Sequence, residues 1–568
     1  MEDLFSLLAS GASFSKKKNA ESMKVFRGPN KVEDEDEEGK KDREEIVPEI
    51  SADSANDEIN AFRNRLRIKV HGVNVSNPLA TFHDMPIDKG IRELVLRSCE
   101  ESEWKEPTPI QMQSIPTMMD KRDVLAGAPT GSGKTAAYLI PMLSIISKLN
   151  RKSSSSSSSS SSDNEEKSNH KKGKKGGGNN GIIALLLAPT RELAEQVHRE
   201  AVRLVGTRKI KMTVLTKQIV SNALKKQDKL LLNGVDFVIS TPMRLLSLVR
   251  NKLVNLSTLQ IAVLDEADKL LEIDHYRGDE IDEIDEEADD ENSSGSINKR
   301  SSFLVQVDEI LGECDPELLQ RGLFSATVGP LVQDLAGAFL RRPVRITVGV
   351  ENAGATSIDQ KLTFVTNEEG KLIAMRQLIQ EGLKPPVLIF LQSKERSKAL
   401  YKELLYDGIN VDVIHAERSE QQREAAISSF RRGETWVLIC TDLMARGVDF
   451  KGVQMVINYD LPQSAVSYIH RIGRTGRAGR KGKAVTFFTE KDISNLRSIA
   501  NVMKLSGCEV PDWMLSIKSL NTKQKRQLKL SQPERAEIST LSKYDKKKMT
   551  KRKDMIDGSK RKSKQMKT

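Results

Sequence analysis

From about residue 79 the chain alternates short, nearly unbroken aliphatic runs with longer stretches patterned as helices. DVLAGAPT, IIALLLAPT, MTVLT, DFVISTP, IAVLDEAD and GLFSAT come first; KLTFVT, PVLIFLQS, VDVIHA, WVLICTD, VQMVINYD and AVTFF follow after about Val350. A strand with one wet face alternates polar and apolar residues, so strands that are aliphatic throughout must be covered on both sides. Interleaved with helices, such strands predict parallel sheets between helical layers. The pattern predicts an α/β chain with two tandem domains, residues 79–346 and 359–507, joined by a linker at 347–358. A chain of 568 residues also exceeds what one hydrophobic core usually serves.

Outside these runs the composition changes. Residues 1–78 alternate acidic and basic blocks, EDEDEE among them, and read as a mostly disordered extension. Two insertions interrupt the first domain, near 150–180 and near 272–300. The first carries an unbroken serine run from Ser153 to Ser162; the second holds twelve acidic residues between Glu272 and Glu291. Neither has the apolar content to form a core, so both are expected as surface loops. Residues 508–568 read as a basic tail.

That tail changes the meaning of the net charge. Of the +11 total, most belongs to the stretch after Ser542, where twelve Lys or Arg face three Asp. Its runs KKKMTKRK and KRKSK read equally as a nuclear-targeting signal or a sequence-independent RNA tether. The four cysteines, Cys99, Cys314, Cys440 and Cys508, are scattered without a CxxC pair, which argues against a zinc ribbon or disulfide framework and for a reducing compartment. The longest aliphatic run, IIALLLAP, is far too short to span a bilayer, and the first residues lack the basic start of a secretion signal. The expectation is a soluble intracellular protein with no membrane partner.

In parallel α/β sheets, ligands collect at the carboxyl ends of the strands. The run DVLAG leads there into APTGSGKT, Ala128 to Thr135, followed by a helical pattern. Gly131 and Gly133 allow the tight path that turns the loop Thr130, Gly131, Ser132, Gly133 around phosphate oxygens. Lys134 adds charge for the β and γ phosphates, and Thr135 offers a hydroxyl to Mg²⁺. Ala128 stands where the generic pattern has glycine. VLDEADKL raises a second question, because an isolated DEAD reads as readily as a solvated acidic turn. Downstream of a phosphate loop it acquires a purpose: Asp265 would hold Mg²⁺ through water, and Glu266 would orient and deprotonate the attacking water. ATP and Mg²⁺ are therefore the expected cofactors.

These motifs, with others between Phe82 and Phe488, resemble the DEAD-box RNA helicases, whose fold is a pair of RecA-like domains. PTPIQ resembles the Q motif, which implies that Gln111 reads the adenine edge while Phe82 stacks on the base. PTRELA and TPMRL resemble the RNA-backbone motifs of the first domain, implying contacts from Pro189, Thr190, Arg191, Thr241, Pro242 and Arg244. SAT, with Ser325 and Thr327, resembles the element coupling hydrolysis to RNA rearrangement. TDLMARGVD implies Thr441 near RNA and Asp449 near the ribose. HRIGRTGR implies coupling by His470 and catalytic arginines at Arg474 and Arg477 that reach the γ-phosphate. On the residues alone, Arg474 and Arg477 read as phosphate contacts or a solvated basic turn, and His415 and His470 as structural histidines. The chain departs from the family in two places: TVLTKQIVSNALKK lacks the usual Gly-Gly doublet, and Met243 replaces the glycine of TPGR.

A narrower resemblance lies outside the ATPase motifs. LFSLLASGASFSKKK, NEEGKLIAMRQLIQEGLKPPVLIF, NVDVIHAERS and NVMKLSGCEVPDWM resemble the Rok-type nucleolar branch, which acts in small-subunit ribosome assembly. It implies pre-ribosomal RNA and proteins as partners, a nuclear and nucleolar location, and a catalytic core that works as a monomer. The implied activity is ATP-dependent unwinding of short RNA duplexes or remodelling of RNA–protein complexes. The alternative is an ATP-gated RNA clamp with little turnover. A GTP switch or small-molecule kinase fits less well, since PTPIQ is present and no NKxD-type guanine reader is found. A DNA translocase is also disfavoured, because RNA grooves of this kind use the 2′-hydroxyl.

Overall fold

The computed structural model describes residues 52–156, 181–206, 210–228, 232–276, 303–442, 450, 452–477, 480–518, 535, 538, 548, 551–552 and 555. The chain divides into two units, Met1–Ala55 and Asn56–Thr568. Of the first, only the opening turn of a helix spanning Ala52–Arg65 is described. The serine-rich insertion beyond Ser156, the acidic insertion beyond Tyr276, Asp449 and most of the basic tail lie outside the described residues.

In the second unit the aliphatic runs form two sheets. Strands β1 (Ile68–His71), β2 (Val124–Gly127), β3 (Ala184–Leu187), β4 (Met212–Val214), β5 (Phe237–Ser240), β6 (Ile261–Leu264), β7 (Gln320–Ser325) and β8 (Val344–Val348) lie in the order β1-β8-β2-β7-β6-β3-β5-β4. All neighbours are parallel except β1 and β8. Strands β9 (Ile358–Phe364), β10 (Val387–Leu391), β11 (Val411–Ile414), β12 (Val437–Thr441), β13 (Met455–Asn458) and β14 (Gly482–Phe488) form a wholly parallel sheet in the order β11-β12-β10-β13-β14-β9. This is the expected pair of RecA-like α/β domains.

The missing polar alternation has a direct cause. Every residue of β2, β3, β5, β6 and β7 is buried. Ala184, Leu186, Ile261 and Val263 enter the core on one face, and Leu185, Leu187, Ala262 and Leu264 enter the core on the other. Each full-sized aliphatic side chain so covered contributes roughly 1.5–3 kcal/mol. Among the described residues, no helix is long and apolar enough to cross a membrane.

Two segments behave differently from their expected neighbourhoods. Ile68–His71, assigned by composition to the N-terminal extension, is the antiparallel edge strand of the first sheet, with Ile68 opposite Val348. Only Ile68 of its four residues is fully buried, so an edge position explains why IKVH carries no continuous aliphatic signal. Beyond residue 508 the chain forms a helix at Asp512–Ser516, whose Met514 enters the second domain's core.

Further on, Ile538 is buried and Arg535 enters an ionic cluster. Arg535 reaches Glu368 at 3.0 Å, Asp492 at 2.6 Å and Asp460 at 3.7 Å, and donates to the Gln392 side chain at 2.8 Å. Lys371 and Arg396 meet Glu368 and Asp460 in the same cluster. Three cations thus face three carboxylates. The tail is in part a component of the second domain.

Candidate active site and interdomain junction

At the carboxyl ends of β2, β3, β5, β6 and β7 stand the glycine loop, Pro189–Arg191, Thr241–Pro242, Asp265–Glu266 and Ala326–Thr327. Parallel strands place all of them along one edge. A cleft of about 970 Å³ opens there, lined by Phe82, Gln111 and the glycine loop on one side and by His470, Arg474 and Arg477 of the second domain on the other.

Gly131 and Gly133 have φ of 80° and 89°, in the left-handed region that a side chain disfavours. Neighbours also crowd them: a Cβ on Gly133 would lie 2.5 Å from Gln111 Nε2, and one on Gly131 would lie 2.9 Å from Arg477 Cγ. Gln111 uses both ends of its amide within the protein, donating to the Gly133 carbonyl at 3.1 Å and accepting from the Thr108 N–H at 3.0 Å. Its visible work is to latch the loop; Phe82, buried, lines the cleft nearby. Lys134 donates to the carbonyls of Ala128 and Pro129 at 2.6 and 2.9 Å. Burial holds its pKa below the usual lysine range, while Asp265 and Asp268 oppose that shift.

The loop fits a phosphate ligand. Thr130 Oγ1 and Ser132 Oγ are buried without a hydrogen-bond partner. They lie in the turn that enters the N-terminus of the helix Lys134–Ser156, where N–H groups and the helix dipole favour an anion. Among the described residues, no group of three His, Cys, Asp or Glu could hold a metal by itself.

Asp265 is fully committed to its neighbours. Its Oδ2 accepts from Tyr138 Oη at 2.7 Å and its Oδ1 from the Glu266 N–H at 2.8 Å. Burial, and then the charge of Glu266, push its pKa up to about 6. Glu266 sits at φ 48°, a left-handed conformation uncommon for a non-glycine residue and concentrated at functional sites. Its carboxylate pairs at 2.8 Å with Lys269, which is 2% exposed. Burial works to raise the Glu266 pKa, but Lys269, His470 and Arg474 together hold it at about 2. So acidic a group is ionised, as a residue that orients and activates water must be.

The second aspartate of DEAD is the junction of three motifs. Asp268 Oδ2 accepts from the Thr327 N–H at 3.0 Å and the Thr327 hydroxyl at 2.7 Å, and His470 Nε2 lies 3.0 Å away. Ser325 shapes the same turn by donating to the Thr327 carbonyl at 2.7 Å. Burial and the charge of Lys269 lower the His470 pKa, while Asp268 and Glu266 oppose that shift. Its Nδ1 is buried without a partner, so the proton belongs on Nε2, donated to Asp268. Thr327 and His470, two of the three expected coupling residues, therefore meet at one carboxylate across the two domains, and Ser325 braces Thr327.

The expected RNA-contact residues begin helices. Thr190 caps the helix Arg191–Val205 by accepting from the Leu193 N–H, and Thr241 precedes the helix Pro242–Arg250. Arg191 is paired with Glu195 at 2.7 Å and with Glu420 of the second domain, while Arg423 lies 3.5 Å from Glu192. Arg244 donates to the Leu215 carbonyl at 3.1 Å, and Met243 is exposed. Thr441 closes β12.

Sequence reasoning missed Tyr138, Asp268, Lys269 and Glu420. Lys269 follows Glu266 by three positions, a spacing that signals an ion pair when the segment is helical. Tyr138 lies one helical turn beyond Thr135. No local signal connects Arg191 with Glu420.

Comparison with known proteins follows this geometry. The family described as DEAD/DEAH box helicase matches residues 108–335, and the helicase conserved C-terminal domain matches 370–479. The ATP-dependent RNA helicase CHR1 of Candida albicans is 42% identical over 94% of this chain and 83% of its own length. The ATP-dependent RNA helicase ROK1 of Lodderomyces elongisporus is 41% identical over 95% and 87%. Among solved structures, S. cerevisiae Dbp5 bound to RNA and ADP BeF3 superposes with a TM-score of 0.57 and 25% identity, covering 80% of this chain and all of that one.

Proposed function

Because the chain belongs to the DEAD/DEAH box helicase family and is an ATP-dependent RNA helicase, we propose that it opens short RNA duplexes or remodels RNA–protein contacts in small-subunit pre-ribosomal RNA processing, in the nucleus and nucleolus. The observation that carries the mechanism is the Thr327–Asp268–His470 junction beside Glu266. Each domain holds part of the machinery, and the junction exists only when they meet. The Rok-type segments support the pathway, since they lie outside the motifs every ATPase of this family needs.

When bound, ATP with Mg²⁺ supplies the transferable phosphoryl group and neutralises its charge. Thr130 to Lys134 cradle the phosphates, Thr135 and Asp265 hold the metal, Asp265 through water, and Phe82 and Gln111 bound the base site. Glu266 orients the attacking water. Arg474 and Arg477 face it from the second domain, and arginines so placed contribute on the order of 10³ to 10⁵ in rate. RNA lying across the N-terminal ends of the helices at Arg191 and Pro242, and reaching Thr441, would favour closure. Asp449 belongs to the same reading as a ribose contact. The core acts as a monomer, with residues 79–346 as the ATP-binding domain and 359–507 as the helicase C-terminal domain.

The direct test compares ATPase stimulation by an RNA and by a DNA of matched sequence. RNA alone should stimulate; equal stimulation by DNA overturns the substrate assignment. For the pathway, depletion in cells should lower small-subunit relative to large-subunit ribosomal RNA, and an unchanged ratio argues against it.

A further inference from the structure

Tyr138 lies on the helix that begins at Lys134, one turn beyond Thr135, and its side chain is fully buried. Its phenol donates to Asp265 Oδ2 at 2.7 Å. The other Asp265 oxygen is held by the Glu266 N–H. Asp265 therefore has its orientation fixed from both sides, once by backbone and once by this phenol. The Tyr138 ring packs edge-on against Phe324 with centroids 5.1 Å apart, and Phe324 directly precedes Ser325 of the coupling turn. A buried ring held in this way fixes its hydroxyl more firmly than a flexible side chain would.

We propose that Tyr138 is a positioning residue of the Mg²⁺ site, its phenol fixing the orientation of the Asp265 carboxylate. This rests on the reading of Asp265 and Thr135 as the pair that holds the metal. Polar partners behind metal-holding groups typically govern 10- to 100-fold in metal affinity. Removing one hydroxyl should thus weaken metal binding without changing the shape of the pocket.

The experiment uses full-length protein and its Tyr138→Phe and Asp265→Asn variants. Each is titrated with Mg²⁺ in the presence of a fluorescent ADP, and with Mn²⁺ followed by electron paramagnetic resonance; ADP affinity is measured separately in EDTA. Tyr138→Phe keeps the ring and its contact with Phe324, so it should fold and melt as the parent does. It should shift both metal midpoints about 10-fold upward and leave metal-free ADP affinity unchanged. If Asp265→Asn shifts the midpoints and Tyr138→Phe does not, Tyr138 serves packing alone and the inference falls. If neither variant shifts them, the reading of Asp265 falls with it. A loss of metal-free ADP affinity as large as the loss of metal affinity would place Tyr138 in pocket shape and overturn the positioning role.

Discussion

Replacing Arg535 with Met should destabilise the second domain although it lies beyond every ATPase motif. The side chain is 3% exposed and completes a cluster of three cations and three carboxylates. Methionine retains much of the volume and removes the charge, leaving Glu368, Asp460 and Asp492 facing only Lys371 and Arg396. Breaking a buried ion pair by removing one partner costs roughly 3–5 kcal/mol, because the remaining charge loses its compensation without regaining water. At about 2–4 °C per kcal/mol for a domain of this size, the melting transition should fall by on the order of 10 °C. Calorimetry of the full chain reads this as an earlier second-domain endotherm. Truncation after Ser542 is the control: it keeps Arg535 and Ile538 and removes the basic runs. The truncated chain should melt like the parent while its RNA binding depends less steeply on salt. If Arg535→Met melts within a degree of the parent, the arginine is not acting as the cluster's third cation, and the charge argument is wrong.

Glu266→Gln should lower RNA-stimulated hydrolysis by roughly 10²-fold or more while ATP and RNA still bind, measured by turnover and filter binding; near-parental turnover removes Glu266 from the chemistry. A fragment ending near Val350 retains the whole first sheet and should bind ATP with negligible RNA-stimulated hydrolysis, and Arg477→Ala in the full chain should lose turnover while largely keeping ATP affinity. If the fragment hydrolyses ATP as fast as the full chain with RNA, domain closure is not required. Asp460 is held below the usual aspartate range, against the opposing effect of burial, by Lys371, Arg396 and Arg535, and Asp492 likewise by Arg535 and Thr489. Their contribution is therefore present above an unfolded-state pKa of about 3.9 and is lost as pH falls through their folded values. A melting temperature that declines steeply below about pH 4 in the parent, and less steeply in Arg535→Met, is the expected result.

The sequence made the sheets legible because burial on both faces forces aliphatic residues at consecutive positions, as in Leu185–Leu186–Leu187. It made the phosphate loop legible because only glycine tolerates the backbone at Gly131 and Gly133. What stayed hidden depends on contacts between distant residues. Ile68–His71 is too short and too open at the sheet edge to carry a two-sided signal. Arg535 sits in a basic stretch whose composition reads as solvated, and its partners lie between 43 and 167 residues away. Asp268 could be recognised as part of a motif, but its bonds to both Thr327 and His470 require the two domains together.

The pairing of Arg191 with Glu420 bears on how RNA binding responds to salt. Nucleic acid carries condensed cations, and each phosphate that a protein cation neutralises releases them, so affinity falls as the salt concentration rises. Arg191 already has a counterion that cannot diffuse away, because it is a side chain of the second domain. A phosphate that takes Arg191 must displace a tethered carboxylate, so the contact would still count in the slope of affinity against salt while adding less to affinity than an arginine with no such partner.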